Sequence, residues 1–178
     1  MYELSLANAL VPVQTDMQVR EVTIGALLRE VPMEKPHAEA LVEITQTGVV
    51  GQRWTYGELL EDSERLAQAL NSRFKHGEHI AVWAPNSPEW VLMEYACALA
   101  GLVLVTANPA FQVNELRYVL EHSGAVGLFT VKEFRGNPMT RIAGEAASGS
   151  SAIREIIDLD DAKALFTVNG DAGTLPHV

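Results

Sequence analysis

Residues 80–84 read I-A-V-W-A, five apolar residues with no polar alternation. A strand with one wet face alternates, so a strand written this way has to be covered on both faces. The following residues supply a cover. Pro85-Asn86-Ser87-Pro88 is a turn in which Ser87 is placed to cap a helix and Pro88 to fill its first position. That helix runs to Ala100, Gly101 ends it, and Leu102 to Thr106 is a second apolar strand. Strand, helix and strand in this order form parallel neighbours joined by a right-handed crossover. The pattern then repeats. Asn108-Pro109 breaks the chain, a helix spans about Gln112 to His122, and Ser123-Gly124 closes it. Ala125 to Thr130 is a third buried strand. Asn137-Pro138 opens a helix that ends in Ser148-Gly149-Ser150-Ser151, and Ile153 to Leu159 is the last strand. The predicted fold class is α/β, a parallel-type β-sheet covered by helices.

The residues before Ile80 add smaller elements. Residues 1–20 show no period and are expected to form an extended N-terminal arm. Thr23 caps a short helix that Pro32 stops after Val31. Leu41 to Thr45 and Val50 to Thr55 flank Gly48 and predict a short N-terminal β-hairpin. Thr55 and Glu58, in T-Y-G-E, form a capping box for a helix that reaches about Phe74. Leu59, Ser63, Leu66, Leu70 and Phe74 share its inner face, with Glu61, Asp62, Arg65 and Gln68 toward water. The expected division is an arm at 1–20, an α/β unit at 21–166 and a linker at 167–178.

Composition narrows the partners. At 178 residues and 48% hydrophobic the chain builds a core without disulfide or metal support. Its one cysteine, Cys97, forbids an intramolecular disulfide. With 23 acidic and 13 basic residues the net charge is −10, which repels nucleic acid and anionic membrane surfaces alike. Trp90 to Ala107 approaches the length of a membrane span, but Glu94 and Gly101 interrupt it, so no transmembrane segment is expected. Met1 to Gln14 has no basic region of the secretory type, and the expected location is cytoplasmic.

Each candidate site competes with a plainer use of the same residues. Neither G-x-G-x-x-G nor G-x-x-x-x-G-K-[ST] occurs, and no serine lies in G-x-S-x-G. The Pro85–Pro88 turn aims helix N–H groups beyond a strand end, where an anion fits, but Asn86 and Ser87 are able to satisfy them locally. His76 and His79 lie in H-G-E-H, where Gly77 makes a turn rather than a metal-binding helix face, so no metal site is expected. Cys97 sits in an apolar helix and reads as core. Asp158, Asp160 and Asp161 read as a solvated loop rather than a cation site. Arg135, in E-F-R-G-N after the third strand, is placed either to meet a phosphate or to form a surface salt bridge. The residues alone contain no complete catalytic constellation.

Four segments, taken together, resemble the adenylate-forming superfamily of acyl-CoA synthetases, aryl-CoA ligases, luciferases and peptide-synthetase adenylation domains. W-T-Y-G-E-L (Trp54 to Leu59) is similar to its T-Y-x-E-L motif. G-E-H-I-A-V-W-A-P-N-S-P-E-W (Gly77 to Trp90) resembles its strand and turn before an aromatic. A-L-A-G-L-V-L-V-T-A-N-P (Ala98 to Pro109) resembles its A-x-x-x-G-A-V-x-V-P-x-N-P segment, and N-E-L-R-Y-V-L-E-H-S-G-A (Asn114 to Ala125) its E-L-x-Y-x-L-x-D-S-G-A helix. Thr106, Gln112 and His122 depart from the family's usual proline, threonine and acidic residue.

The resemblance implies the N-terminal subdomain of that ligase fold and an N-terminal fragment of a fatty or alicyclic acyl-CoA ligase. Such an enzyme joins a carboxylic acid to ATP's α-phosphate, then passes the acyl group to coenzyme A. The family's Y-T-S-G-T-T-G-x-P-K-G loop and its later Asp, Arg, Glu and Lys residues are not in these 178 residues, and Leu175 to Val178 resembles the linker before that loop. ATP, Mg and CoA therefore belong to the whole enzyme. None is expected to be bound by this chain, which is expected to be inactive by itself. In some relatives an arginine in this segment meets a coenzyme A phosphate, which makes Arg135 a candidate cofactor contact; no catalytic residue is carried over. Apolar surface left bare is expected to drive homo-oligomer formation. The rival reading is a stand-alone α/β binding or dimerisation module.

Overall fold

The computed structural model describes residues 19–45, 47–169 and 174–176. At its centre is β3 (His79–Trp83), the I-A-V-W strand, with Ile80, Ala81, Val82 and Trp83 fully buried. Helix α3 (Pro88–Ala100) carries the chain to β4 (Val103–Thr106), parallel to β3 with Ile80 opposite Leu104. Helix α4 (Val113–Ser123) then returns across β3 to β5 (Gly127–Thr130), parallel on the other side with Ala81 opposite Leu128. Helix α5 (Met139–Ala147) leads to β6 (Glu155–Asp158), which pairs parallel with β5. The sheet order is β4-β3-β5-β6. The β3-to-β4 and β4-to-β5 crossovers run in opposite directions across the sheet, which puts α3 and α4 on opposite faces.

The remaining elements build one of those layers. Helix α1 (Ile24–Glu34) and helix α2 (Tyr56–Asn71) pack on α3 and on each other. The hairpin of β1 (Glu39–Ile44) and β2 (Val50–Thr55) packs on α2. The expected capping box is present: Glu58 N–H donates to Thr55 Oγ1 at 3.3 Å, and Thr55 N–H to Glu58 Oε2 at 2.8 Å. Leu59, Ser63, Leu66, Leu70 and Phe74 are all buried, as their spacing predicts.

Several expectations are corrected. Pro32 does not stop α1, which continues to Glu34. Proline's φ is helical; what it costs a helix is the missing donor and the crowding of its ring against the carbonyl four residues back, here that of Leu28. One lost bond near the helix end leaves Lys35 N–H free to close on Val31 O at 2.9 Å. Asp62 does not simply face water; it is half-buried and accepts from Trp54 Nε1 at 3.0 Å. The apolar segment 102–106 forms an edge strand, not a strand buried on both faces, and Val103 is 43% exposed. The last strand is shorter than expected, at four residues. A five-residue helix, α6 (Ala162–Phe166), follows it, capped by Asp161, whose side chain accepts from Ala164 N–H at 3.0 Å. The predicted arm at 1–20 lies outside the described residues except for Val19 and Arg20. The predicted loop at 167–178 has no regular structure where it is described.

Two long-range features fasten the layers. Gly101 caps α3 with φ +67°, a conformation that favours glycine; a Cβ there would press on the exposed His76 ring, which is free to swing aside, so conformation and not space requires the glycine. Arg73, at the end of α2, has a side chain only 6% exposed. Its Nη1 donates to Glu155 Oε2 at 3.3 Å, and its Nη2 to the carbonyls of Ala164 and Thr167 at 2.6 and 2.8 Å. Trp90 to Ala107 divides into α3 and β4, and no described helix is long and apolar enough to cross a membrane.

Candidate functional site

Open parallel sheets bind ligands beyond the carboxyl ends of their strands, where outgoing connections diverge. Here that point lies between β3 and β5. β3 sends its connection toward β4 and β5 sends its own toward β6. A cleft of about 470 Å³ opens there, lined by Pro85, Asn86, Asn108, Pro109, Ala110, Phe134, Arg135 and Asn137. These residues come from three loops, after β3, β4 and β5. The chain breakers Pro85, Asn108-Pro109 and Asn137 form its wall because the loops must turn sharply to return to helices.

Each wall is fixed from behind. Trp83, fully buried, donates from Nε1 to Asn108 O at 2.8 Å and holds the second loop against β3. Asn108 Oδ1 accepts from Ala110 N–H at 2.9 Å, shaping the turn that presents Pro109. In the third loop, Phe134 and Asn137 bond to each other through both backbone pairs, at 3.1 and 2.9 Å, with Arg135 and Gly136 at the tip. Gln112 Nε2 reaches Asn137 Oδ1 at 3.4 Å and ties this tip to the start of α4. Gln112 thus does not repeat the threonine cap of the family; only Glu115 bonds back, to Gln112 N–H at 2.9 Å.

Charge divides the region in two. On the cleft side stands Arg135, exposed, its guanidinium 5.1 Å from the centroid of the Phe134 ring. Among the described residues it is the one arginine with neither an ion pair nor a hydrogen bond to the protein. The surface salt bridge considered for it is not formed. Across the Pro85-Asn86 turn lies a second crevice of about 430 Å³, reaching to β1 and carrying Glu133 and Asp160. Burial raises the Asp160 carboxyl above the usual range, and the nearby Asp158 raises it further. The first crevice thus carries a cationic side chain and the second carries carboxylates.

The other candidates resolve into structural roles. Ser87 caps α3 by accepting from Trp90 N–H at 3.3 Å, so the helix start is satisfied locally. His79 Nδ1 lies 2.5 Å from Ser123 O while His76 rests against Gly101, so the two histidines face different neighbours. Asp158 pairs with Lys132 at 3.5 Å and accepts from Asp160 N–H at 3.0 Å, and Asp161 caps α6. Burial pushes the Cys97 thiol up to about 12, which leaves it protonated and unreactive at neutral pH. The roles of Trp83, Phe134 and Gln112 at the cleft went unread in the sequence. Phe134 and Gln112 stand beside the loop breakers, but the Trp83 bond spans 25 residues and leaves no local signal.

Known proteins share both sequence and architecture with the chain. It is 37% identical over 122 residues to the mitochondrial medium-chain acyl-CoA ligase ACSF2 of Rattus norvegicus, covering 68% of this chain and 19% of that protein. The same protein of Homo sapiens is 36% identical over 122 residues, with the same coverage of 68% and 19%. The chain thus spans about a fifth of the length of these relatives. Among solved structures, the N-terminal domain of FACL13 from Mycobacterium tuberculosis superposes with a TM-score of 0.69 at 25% identity, over 88% of this chain and 38% of that one. The O-succinylbenzoate coenzyme A synthetase MenE of Bacillus subtilis, solved with ATP and magnesium, gives 0.62 at 26% identity, over 79% and 33%. Residues 28–175 match the AMP-binding enzyme family, a stretch that takes in all three loops of the cleft and most of the elements that carry them. The chain belongs to that family, as a partial, N-terminal piece of its fold.

Proposed function

We propose that this chain is the N-terminal part of an ATP-dependent acid–thiol ligase acting on a fatty or alicyclic acid. In that reaction a carboxylate oxygen bonds to ATP's α-phosphorus as the α–β anhydride breaks and pyrophosphate leaves. The thiol sulfur of coenzyme A then bonds to the acyl carbon and AMP departs. The observation that carries the reading is the family match across residues 28–175, whose relatives include named acyl-CoA ligases. In this reading residues 21–166 are the α/β unit and 167–178 the linker toward an ATP-binding loop. The proposed compartment is the cytoplasm, although the ACSF2 relatives are named mitochondrial.

The residues present fit these groups unequally. For the phosphates of ATP the chain has no Gly- and Ser-rich loop, and the described residues hold no group of three or more metal-binding side chains for magnesium. No step through either is assigned to these residues. For a coenzyme A phosphate the fit is good: Arg135 is an unpaired guanidinium at the mouth of a cleft with amide-bearing walls. Its role is to hold and orient the thiol-bearing molecule, not to react.

Mixed with a fatty acid, ATP, magnesium and coenzyme A, the 178-residue chain is expected to release no pyrophosphate, while the reading frame extended past Val178 forms acyl-CoA. Turnover by the short chain would disprove its inactivity. An extended protein that forms no acyl-CoA from any acid would remove the ligase reading.

The chain is also expected to self-associate through β4. Residues 102–112 contain no charged residue, β4 is an edge strand among the described residues, and Val103 is 43% exposed. The opposite edge, β6, is guarded by Arg154, Glu155 and the Lys132–Asp158 pair. Two copies of a chain at −10 approach most easily along an uncharged edge. Light scattering is expected to show mass above the monomer at high protein concentration and a monomer for Val103→Lys; a monomeric parent chain would rule this out.

A further inference from the structure

The tip of the third cleft loop is built against local preference. Phe134 and Asn137 form a two-residue reverse turn in which Arg135 has φ +50° and Gly136 has φ +81°. Left-handed φ at both central positions is the I′ turn, whose first position favours asparagine, aspartate or glycine. Arg135 is the one non-glycine residue with positive φ among the described residues. Asparagine tolerates this region because its short amide bonds locally, and arginine has no such means. Nor does tertiary structure compensate. The guanidinium finds no hydrogen-bonding partner among the described residues, and its contact with the Phe134 ring is of the weak, exposed kind. The turn is nonetheless firmly held, by its paired backbone bonds and by Gln112 on Asn137.

We propose that the Phe134–Asn137 turn is a strained mount: Arg135 is kept in a left-handed conformation, at the expense of fold stability, so that its guanidinium stands ready at the cleft for an anionic ligand. This rests on reading Arg135 as a phosphate contact. Gly136 is the positioning residue. A Cβ there would meet nothing within 4 Å, so its glycine is required by backbone conformation and not by space. Backbone strain at a ligand site is held in place by its surroundings, and relieving it should stabilise the fold while removing the function.

The test uses the 178-residue chain. Arg135→Asn keeps the turn and removes both strain and charge; Arg135→Lys keeps the strain and the charge. Arg135→Asn is expected to raise the melting midpoint by about 2–4 °C, with Arg135→Lys unchanged. In ¹⁵N-labelled protein, millimolar adenosine 3′,5′-bisphosphate is expected to move the amide signals of Gly136 and Asn137, and adenosine to leave them in place. The movement is expected to persist in Arg135→Lys and vanish in Arg135→Asn. Gly136→Asn, which tolerates the same φ, is expected to retain it, and Gly136→Val to lose it. If Arg135→Asn melts at or below the parent, the strained mount is wrong whatever the ligand does. If the midpoint rises but the bisphosphate signals are the same in Arg135→Asn and the parent, the strain stands and the phosphate reading beneath it falls.

Discussion

Trp83→Ala is expected to lower the stability of the chain by about 3–5 kcal/mol, as for other buried aromatic truncations. A domain of this size has about 5–15 kcal/mol in total, so the variant should be partly unfolded near physiological temperature. Trp83 is fully buried at the end of the central strand, with strands hydrogen-bonded on both sides of it. Deleting its indole opens a cavity in the middle of the sheet layer and frees Asn108 O of its 2.8 Å bond. Trp83→Phe separates the two effects. It keeps most of the packing and loses the hydrogen bond, for an expected cost of about 1–2 kcal/mol. Its specific consequence is faster amide exchange in the Asn108–Phe111 turn, one wall of the cleft. Denaturant melts of the parent and both variants measure this. A loss below about 1 kcal/mol for Trp83→Ala would show that β3 is not close-packed.

Arg73→Ala is expected to cost about 2–4 kcal/mol and to act on the last part of the described fold. The buried guanidinium has three partners, contributed by β6, α6 and the residue after α6. Two of them are backbone carbonyls, and Glu155 is 35% exposed and able to turn to water. The carbonyl bonds, not the ion pair, should therefore carry most of the effect. Glu155→Gln is expected to cost less than about 1 kcal/mol, in the range of exposed pairs. In hydrogen exchange, Arg73→Ala should lose protection at Leu165 to Asn169 first, and limited proteolysis should cut there before anywhere in the sheet. Equal losses for Arg73→Ala and Glu155→Gln would shift the role to the ion pair.

These two residues mark the boundary of what local sequence conveys. The Thr55–Glu58 cap, the Ser87-Pro88 helix start and the Gly101 and Gly124 stops are legible because every determinant lies within about four residues. The parallel α/β order is legible because unbroken apolar strands alternate with amphipathic helices. Arg73 looks like any helix-end cation, since its partners lie 82 to 94 residues away. Whether V-L-V-T is an inner or an edge strand depends on which strands join it, and apolarity alone cannot decide that. Pro32 misleads because the rule against helical proline weighs one lost bond that the last turn of α1 can do without. The cleft was partly readable. Its loop breakers and Arg135 stand out at strand ends, whereas the left-handed turn that presents Arg135 depends on a backbone angle that arginine rarely adopts. Family membership came from four motifs in order, not from any catalytic group, because the motifs in this chain serve the fold.

The position of β3 also bears on how the protein is made. It is the first of the four parallel strands to leave the ribosome, and it lies inside the sheet. β4 follows and completes one side, β5 the other, and β6 then extends β5. No later strand has to be inserted between two earlier ones. With synthesis at roughly 5–20 residues per second, each strand finds its neighbour already exported, so the sheet grows outward in the order of translation. Parallel pairing is otherwise slow to close. Vectorial growth shortens the time for which each uncovered edge is open to the wrong chain.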